Sequence, residues 1–379
     1  MKNRVYLDYN ATGVPRPEVV EAMADILARG GNPSSVHAGG REARAEMEKA
    51  RSKIAAVLNC KTREITFTSG GTESNNMALR AGATQSLIIG ATEHDSILAA
   101  AQVSGKPAAV LPVHKTGLVD MASLRQALAD SEGPALVSIM LANNETGVIQ
   151  PLQEIADAVH AAGGLLHTDA VQALGKIPVD FKALDVDLMT VNAHKLGGPH
   201  GVGALVIRES VIIPSLIVGG GQELGRRAGT ENLAGIVGFA KAVELAVVGL
   251  VDFAGLAVLR DRLETDIRNI APDARVFGKS AARLANTSCF AVPGLSSETQ
   301  VMAMDLAGFC ISAGSACSSG KVKPSHVVTA MGADDAHAGS AIRVSLGWTS
   351  TAEDVDNFVA AWTDHYQRSW ARSGAHAGA

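Results

Sequence analysis

The chain has 379 residues, more than one hydrophobic core usually serves, and 47% of them are apolar, enough for two domains. Its 33 basic and 38 acidic residues leave a formal charge of −5, with no basic patch to argue for nucleic acid as a partner. Residues 1–8 lack the long apolar core and cleavage pattern of a secretory signal, so none is expected.

In chain order, helical periodicity covers Pro17–Arg29 and residues 41–58, with an ordered loop at residues 30–37 between them. Strand patterns follow at Ile65–Thr68, Ser86–Gly90, Ala108–Leu111, residues 135–142, residues 165–168, residues 187–191 and Gly203–Ile207. Helical patterns separate several of them, notably residues 152–162. Continuous apolar strands alternating with helices predict an α/β fold with a mainly parallel seven-stranded sheet covered on both faces.

Residues 230–270 read as almost wholly helical, with a break near residues 249–252. Within them the most apolar stretch, residues 243–259, contains Glu244 and Asp252, which favours a core helix over a membrane span. Strands at residues 288–292 and 341–346 and helices at 297–306 and 351–362 predict a smaller α+β domain, with a frayed tail after Trp370. The expected division is a large domain of residues 14–250 and a small one of residues 1–13 and 251–379.

Four cysteines, Cys60, Cys289, Cys310 and Cys317, show no zinc-type spacing and no C-x-x-C, so free thiols in a reducing cytoplasm and no permanent metal site are expected. Cys289 and Cys310 lie in apolar runs and Cys60 at a helix end, as packing residues do. Cys317 lies among serines, glycines and alanines too small and polar to form core, so an exposed, reactive thiol is expected there.

Three stretches carry the chemistry. Lys195 follows an apolar β-branched run and precedes two glycines and a proline, which places it just beyond a strand end. A surface lysine in a glycine loop has the same local pattern. Asp169 ends a second apolar run, and residues 67–76 read as strand, small-residue turn and helix start, an arrangement that offers N–H groups to a phosphate. Lysine, carboxylate and phosphate cradle together suit pyridoxal phosphate: the lysine holds the aldehyde, the carboxylate keeps the ring nitrogen protonated, and the cradle anchors the phosphate.

Residues 6–12, 69–76, 93–94, 143–147, 167–172, 193–195, 227–230 and 312–317, in this order and spacing, resemble the cysteine desulfurases of the NifS/IscS type. These belong to the class V aminotransferase-like, fold-type I pyridoxal phosphate enzymes. The resemblance implies a homodimer with its active site at the subunit interface. It implies Lys195 as the Schiff-base lysine and proton carrier, Asp169 on the ring nitrogen and Gln172 on the ring hydroxyl. His94 would lie over the ring as acid/base, although its position before Asp95 also suits a helix cap. Asn144 would touch substrate and ring oxygen. Gly71, Thr72, Asn192 and His194 would hold the phosphate, joined across the dimer by Thr230. Arg343 would clamp the substrate carboxylate, with a structural salt bridge as the other reading of an arginine in an apolar run.

By the same resemblance, Cys317 takes sulfur from L-cysteine as a persulfide and leaves L-alanine, and its serine-rich loop is similar to that of the first desulfurase group. The persulfide would pass to an acceptor protein such as an iron–sulfur scaffold, and Cys317 could transiently ligate a cluster shared with it. A selenocysteine lyase, an ordinary aminotransferase and a non-catalytic sulfur relay are the other readings. Asn192 stands where the family more often has serine, Leu224 where it has arginine, and Gly13 where a second hydroxyl is common.

Overall fold

The computed structural model describes residues 4–82, 84–314 and 324–376, the last five without their side chains, so Cys317 lies outside the described residues. A seven-stranded sheet has the order Ile65–Thr68, Gly203–Ile207, Leu188–Asn192, Leu165–Asp169, Ala135–Ser138, Ser86–Gly90 and Ala108–Leu111. The last five are mutually parallel, and Gly203–Ile207 runs antiparallel to both of its neighbours. The reversal follows from the link, residues 193–202, which is shorter than the dozen or so residues of a parallel crossover. Gly203 is needed here, because a Cβ would come within 2.9 Å of the Gly70 backbone.

Successive residues of the inner strands alternate between two cores, so both of their faces are buried, whereas the edge strand Ala108–Leu111 buries only Leu111. Ile88, Val137, Met189 and Val206 pack with Ile54, Phe67 and Phe239 on one face. Leu87, Leu136, Leu188 and Leu205 pack with Met77 and Ile97 on the other. The strand expected over residues 135–142 loses its Ser86–Gly90 neighbour after Ser138, where the Met140 N–H turns to the Glu93 carboxyl at 2.9 Å, while the Ile139 and Leu141 N–H groups still donate to the His167 and Asp169 carbonyls.

A separate core holds Leu7, Leu263, Ile267, Phe290, Val344, Phe358 and Trp362. Its sheet has the order Ser312–Ala313, Ile342–Ser345, Thr287–Ala291 and Arg275–Val276, and Val5–Tyr6 pairs in parallel with Phe309–Cys310. Leu233–Val248 and Leu250–Ile270 meet at a bend of 66°, and no single helix among the described residues is long and apolar enough to cross a membrane. The last helix, Ala352–His376, outruns both the expected end at residue 362 and the expected fraying. Trp362, Tyr366 and Trp370 succeed one another along it at 5.4 and 6.0 Å, a four-residue ladder that only a continued helix provides.

A buried ion pair joins the helix Ala38–Leu58 to the turn Gln222–Gly225 beside the large sheet. The Arg51 guanidinium donates to both Glu223 carboxylate oxygens, at 2.9 and 2.8 Å, and Glu223 also accepts from the Phe67 N–H at 2.8 Å. Glu223 and Leu224 sit at φ +48° and +58°, so this pairing holds a strained loop in place. Leu224 is exposed, and nothing in the structure explains why leucine stands there. Replacing Arg51 by Met should cost about 3–5 kcal/mol in urea unfolding, because Glu223 is left buried without its counter-charge.

Candidate active site

The parallel strands Leu165–Asp169 and Leu188–Asn192 end side by side, so the turns at their C-terminal ends open into one crevice. Asp169 closes the first, and the short turn Ala193–Leu196 after the second carries His194 and Lys195. The strand Ile65–Thr68 leads to Gly70 at φ +153° and then the helix Gly71–Ala78, whose N-terminus no side chain among the described residues caps. A cavity of ≈ 390 Å³ lies between these ends and the second core. Gly71, Thr72, His94, Asn144, Asp169, Gln172, Asn192, His194, Lys195 and Arg343 all line it. Thr230 does not: it is exposed and lines a separate cavity with Thr68, Ser69 and Arg227.

Lys195 Nζ donates to the carbonyl oxygens of Asn10 and Ala11, at 2.8 and 2.7 Å, which holds the amine at the cavity wall. Asp169 accepts from the Val171 N–H at 2.9 Å and from Asn75 Nδ2 at 2.8 Å. The same Asn75 amide donates to Ser96 Oγ at 2.9 Å, and Ser96 Oγ lies 2.8 Å from His94 Nδ1. The Ser96 N–H also donates to His94 Nδ1, at 3.1 Å, so the neutral ring carries its proton on Nε2. His94 therefore caps the helix Asp95–Gln102 and lines the cavity at once. Burial, with Lys195 and His200 adding to it, lowers the His194 pKa to about 3, and its Nδ1 lies 3.0 Å from Thr12 Oγ1. That imidazole is neutral at any ordinary pH.

Arg343 forms a salt bridge to Asp8 Oδ1 at 2.7 Å, the other reading of its sequence, donates to the Asn144 carbonyl at 3.0 Å, and also lines the cavity. Asn144 is presented by a turn that Asn143 builds, its side chain accepting from the Glu145 and Thr146 N–H groups. Gly147 closes the turn at φ +74°, where a Cβ would meet Thr287 at 3.0 Å.

Sequence reasoning assigned no role to Asn10, Asn75, Glu145 or His326, which also line the cavity. Asn10, Asn75 and Glu145 lay inside the quoted motifs, but the contacts that matter come from distant segments. His326 has no such signal; its Nε2 donates to the Glu93 carbonyl at 3.0 Å. Of the cysteines, Cys289 is fully buried and Cys60 half-buried, and burial pushes both thiols up, Cys60 to about 12.

Glu145 accepts from Ser325 Oγ at 2.5 Å, and burial raises its pKa from 4.5 to about 7, against the opposing pull of that bond and of Arg343. The folded chain thus holds this proton more tightly than the unfolded chain. The resulting stability is full below about pH 4.5 and is lost as pH rises through 7. Glu145→Gln should therefore gain on the native chain by roughly 2–3 kcal/mol between pH 5 and pH 8, read by urea unfolding at both pH values.

Residues 5–358 match the model of the aminotransferase class-V family. A cysteine desulfurase of Cereibacter sphaeroides is 42% identical over 94% of this chain and 94% of its own. The cysteine desulfurase IscS of Dictyoglomus turgidum is 43% identical over 94% of this chain and 93% of its own. The solved structure of a NifS-like protein from Rickettsia africae superposes with a TM-score of 0.90 at 36% identity, over 96% of this chain and all of that one. The crevice with Lys195 and Asp169 is thus set in the fold of those proteins, and the chain belongs to the class-V aminotransferase family.

Proposed function

We propose that this chain is a pyridoxal-phosphate-dependent cysteine desulfurase that converts L-cysteine to L-alanine and takes the sulfur on Cys317. The observation that carries the reading is the meeting of Lys195, Asp169 and the uncapped N-terminus of Gly71–Ala78 in one cavity. That set fits the cofactor: an amine for its aldehyde, a carboxylate for its ring nitrogen, and helix N–H groups for its phosphate. Gly70 and Gly71 suit close approach of a phosphate, since a Cβ on Gly71 would already lie 3.1 Å from Val171. When bound, the cofactor supplies an electron sink that makes the substrate Cα proton removable.

The chain supplies the rest. Asp169, fixed by Asn75 and the Val171 N–H, keeps the ring nitrogen protonated. Arg343 and Asn144 orient the substrate carboxylate, with the guanidinium already steadied by Asp8. Lys195 would hold the cofactor's aldehyde and, as an amine at the cavity wall, would move the substrate Cα proton, with His94 as a second proton carrier. The Cys317 thiolate attacks the substrate sulfur, the carbon–sulfur bond breaks, and the three-carbon fragment takes up a proton and leaves as alanine. Thr230, away from its own chain's cavity, reaches the phosphate held by a second copy in a homodimer. The persulfide supplies sulfur, through an acceptor protein in the cytoplasm, for iron–sulfur cluster assembly or other thio-cofactors.

Purified protein given pyridoxal phosphate, L-cysteine and a reductant should release sulfide and alanine in equal amounts. Both products should fall by roughly 100-fold or more in Cys317→Ser and in Lys195→Ala. Bound cofactor without sulfide would overturn the reading, and selenocysteine and keto-acid co-substrates would then separate a selenocysteine lyase from an aminotransferase.

A further inference from the structure

Lys176 is a buried lysine with no place in the proposed chemistry. It lies in the turns after Leu165–Asp169 and is only 4% exposed. Its Nζ donates to Asn10 Oδ1 at 2.7 Å and to Gln172 Oε1 at 2.6 Å. Burial, with the cations Lys195 and Arg343 adding to it, drives its pKa well below that of a free lysine. Charged or neutral, an amine keeps the N–H groups these two bonds need.

Two amide oxygens facing one amine fix how both amides are turned. Gln172 then has its NH₂ end away from Lys176, donating to the Asn10 carbonyl at 2.8 Å. The same carbonyl accepts Lys195 Nζ at 2.8 Å, so the NH₂ end of Gln172 lies on the side of the reactive lysine. A reversed amide would set its oxygen against the Asn10 carbonyl and lose that bond in either charge state, and its NH₂ would oppose the Lys176 ammonium whenever the amine is charged. Gln172 lines the cavity, and an amide NH₂ has a second N–H to give.

We infer that Lys176 is a positioning residue that sets the polarity of the Gln172 amide, so that the cofactor ring oxygen meets an N–H donor and not a carbonyl oxygen. This rests on the proposed pyridoxal phosphate reading. A donor at the ring oxygen offsets the negative charge left exposed when the neighbouring Schiff-base nitrogen loses its proton, and so lowers the pH at which that proton leaves. Without the donor that pH rises.

The test is a pH titration of the visible absorbance of the holoenzyme, native and as Lys176→Met, Lys176→Gln, Gln172→Met and the Lys176→Met/Gln172→Met double variant. Lys176→Met and Gln172→Met should each raise the midpoint by about one pH unit, and the double variant should move no further than Gln172→Met. Lys176→Gln, whose shorter amide reaches only one of the two oxygens, should shift it by part of that, and it carries the test if Lys176→Met does not fold. A native midpoint in the folded Lys176 variants, or full additivity in the double variant, would overturn the inference while leaving the cofactor reading intact. A native protein with no visible absorbance after incubation with pyridoxal phosphate would overturn both.

Discussion

The structure depends on the pairing of one buried amide, Asn10. Its N–H donates to Ser345 Oγ at 3.0 Å, and its Nδ2 to the Asn144 carbonyl at 3.1 Å and Thr287 Oγ1 at 2.9 Å. Its Oδ1 accepts from Lys176 and Asn286, and its backbone carbonyl from Gln172 and Lys195. The residue is 1% exposed, so each of these groups would lose water without a partner if the segments around it moved apart. A satisfied buried network of this kind holds the segment after Val5–Tyr6, the ends of the large sheet and the small sheet in one arrangement.

The same constraint shapes the site. The cavity lies between the strand ends of the large sheet and the small sheet, so residues from both can face a single ligand. Arg343 is held in that seam by Asp8, and Asp8 also accepts from Ser312 Oγ at 2.8 Å. A lone guanidinium there would be costly to bury; paired, it keeps its orientation with little freedom left to lose on binding. On the other wall, Asp169 is fixed by a backbone N–H and by Asn75, and Asn75 reaches through Ser96 to His94. The groups that face the cavity are thus set by neighbours that have no reactive chemistry themselves, which is how a site is prepared before its ligand arrives.

Much of the sheet was legible because the information is local. The strands Ile65–Thr68, Ser86–Gly90, Ala108–Leu111 and Gly203–Ile207 are apolar runs with turn residues close by, and periodicity marked them within the observed bounds. Residues 135–142 misled because their apolar run continues past the point where Glu93 takes over the Met140 N–H. Lys195, Asp169 and Gly71 could be placed because each directly follows or ends such a run. His94 satisfied two readings together, since capping a helix and facing a cavity use different parts of one ring.

By itself, the sequence determined where most strands of the large sheet lie, and which residue types stand at their ends. Those follow from spacing and propensity within short windows of chain. Only the tertiary structure decided that Gly203–Ile207 inserts in reverse beside Ile65–Thr68, that Arg51 meets Glu223, and that Lys176 holds the amides of Asn10 and Gln172. Such pairings join residues far apart in the chain, and their strength comes from shared burial, which no local window contains.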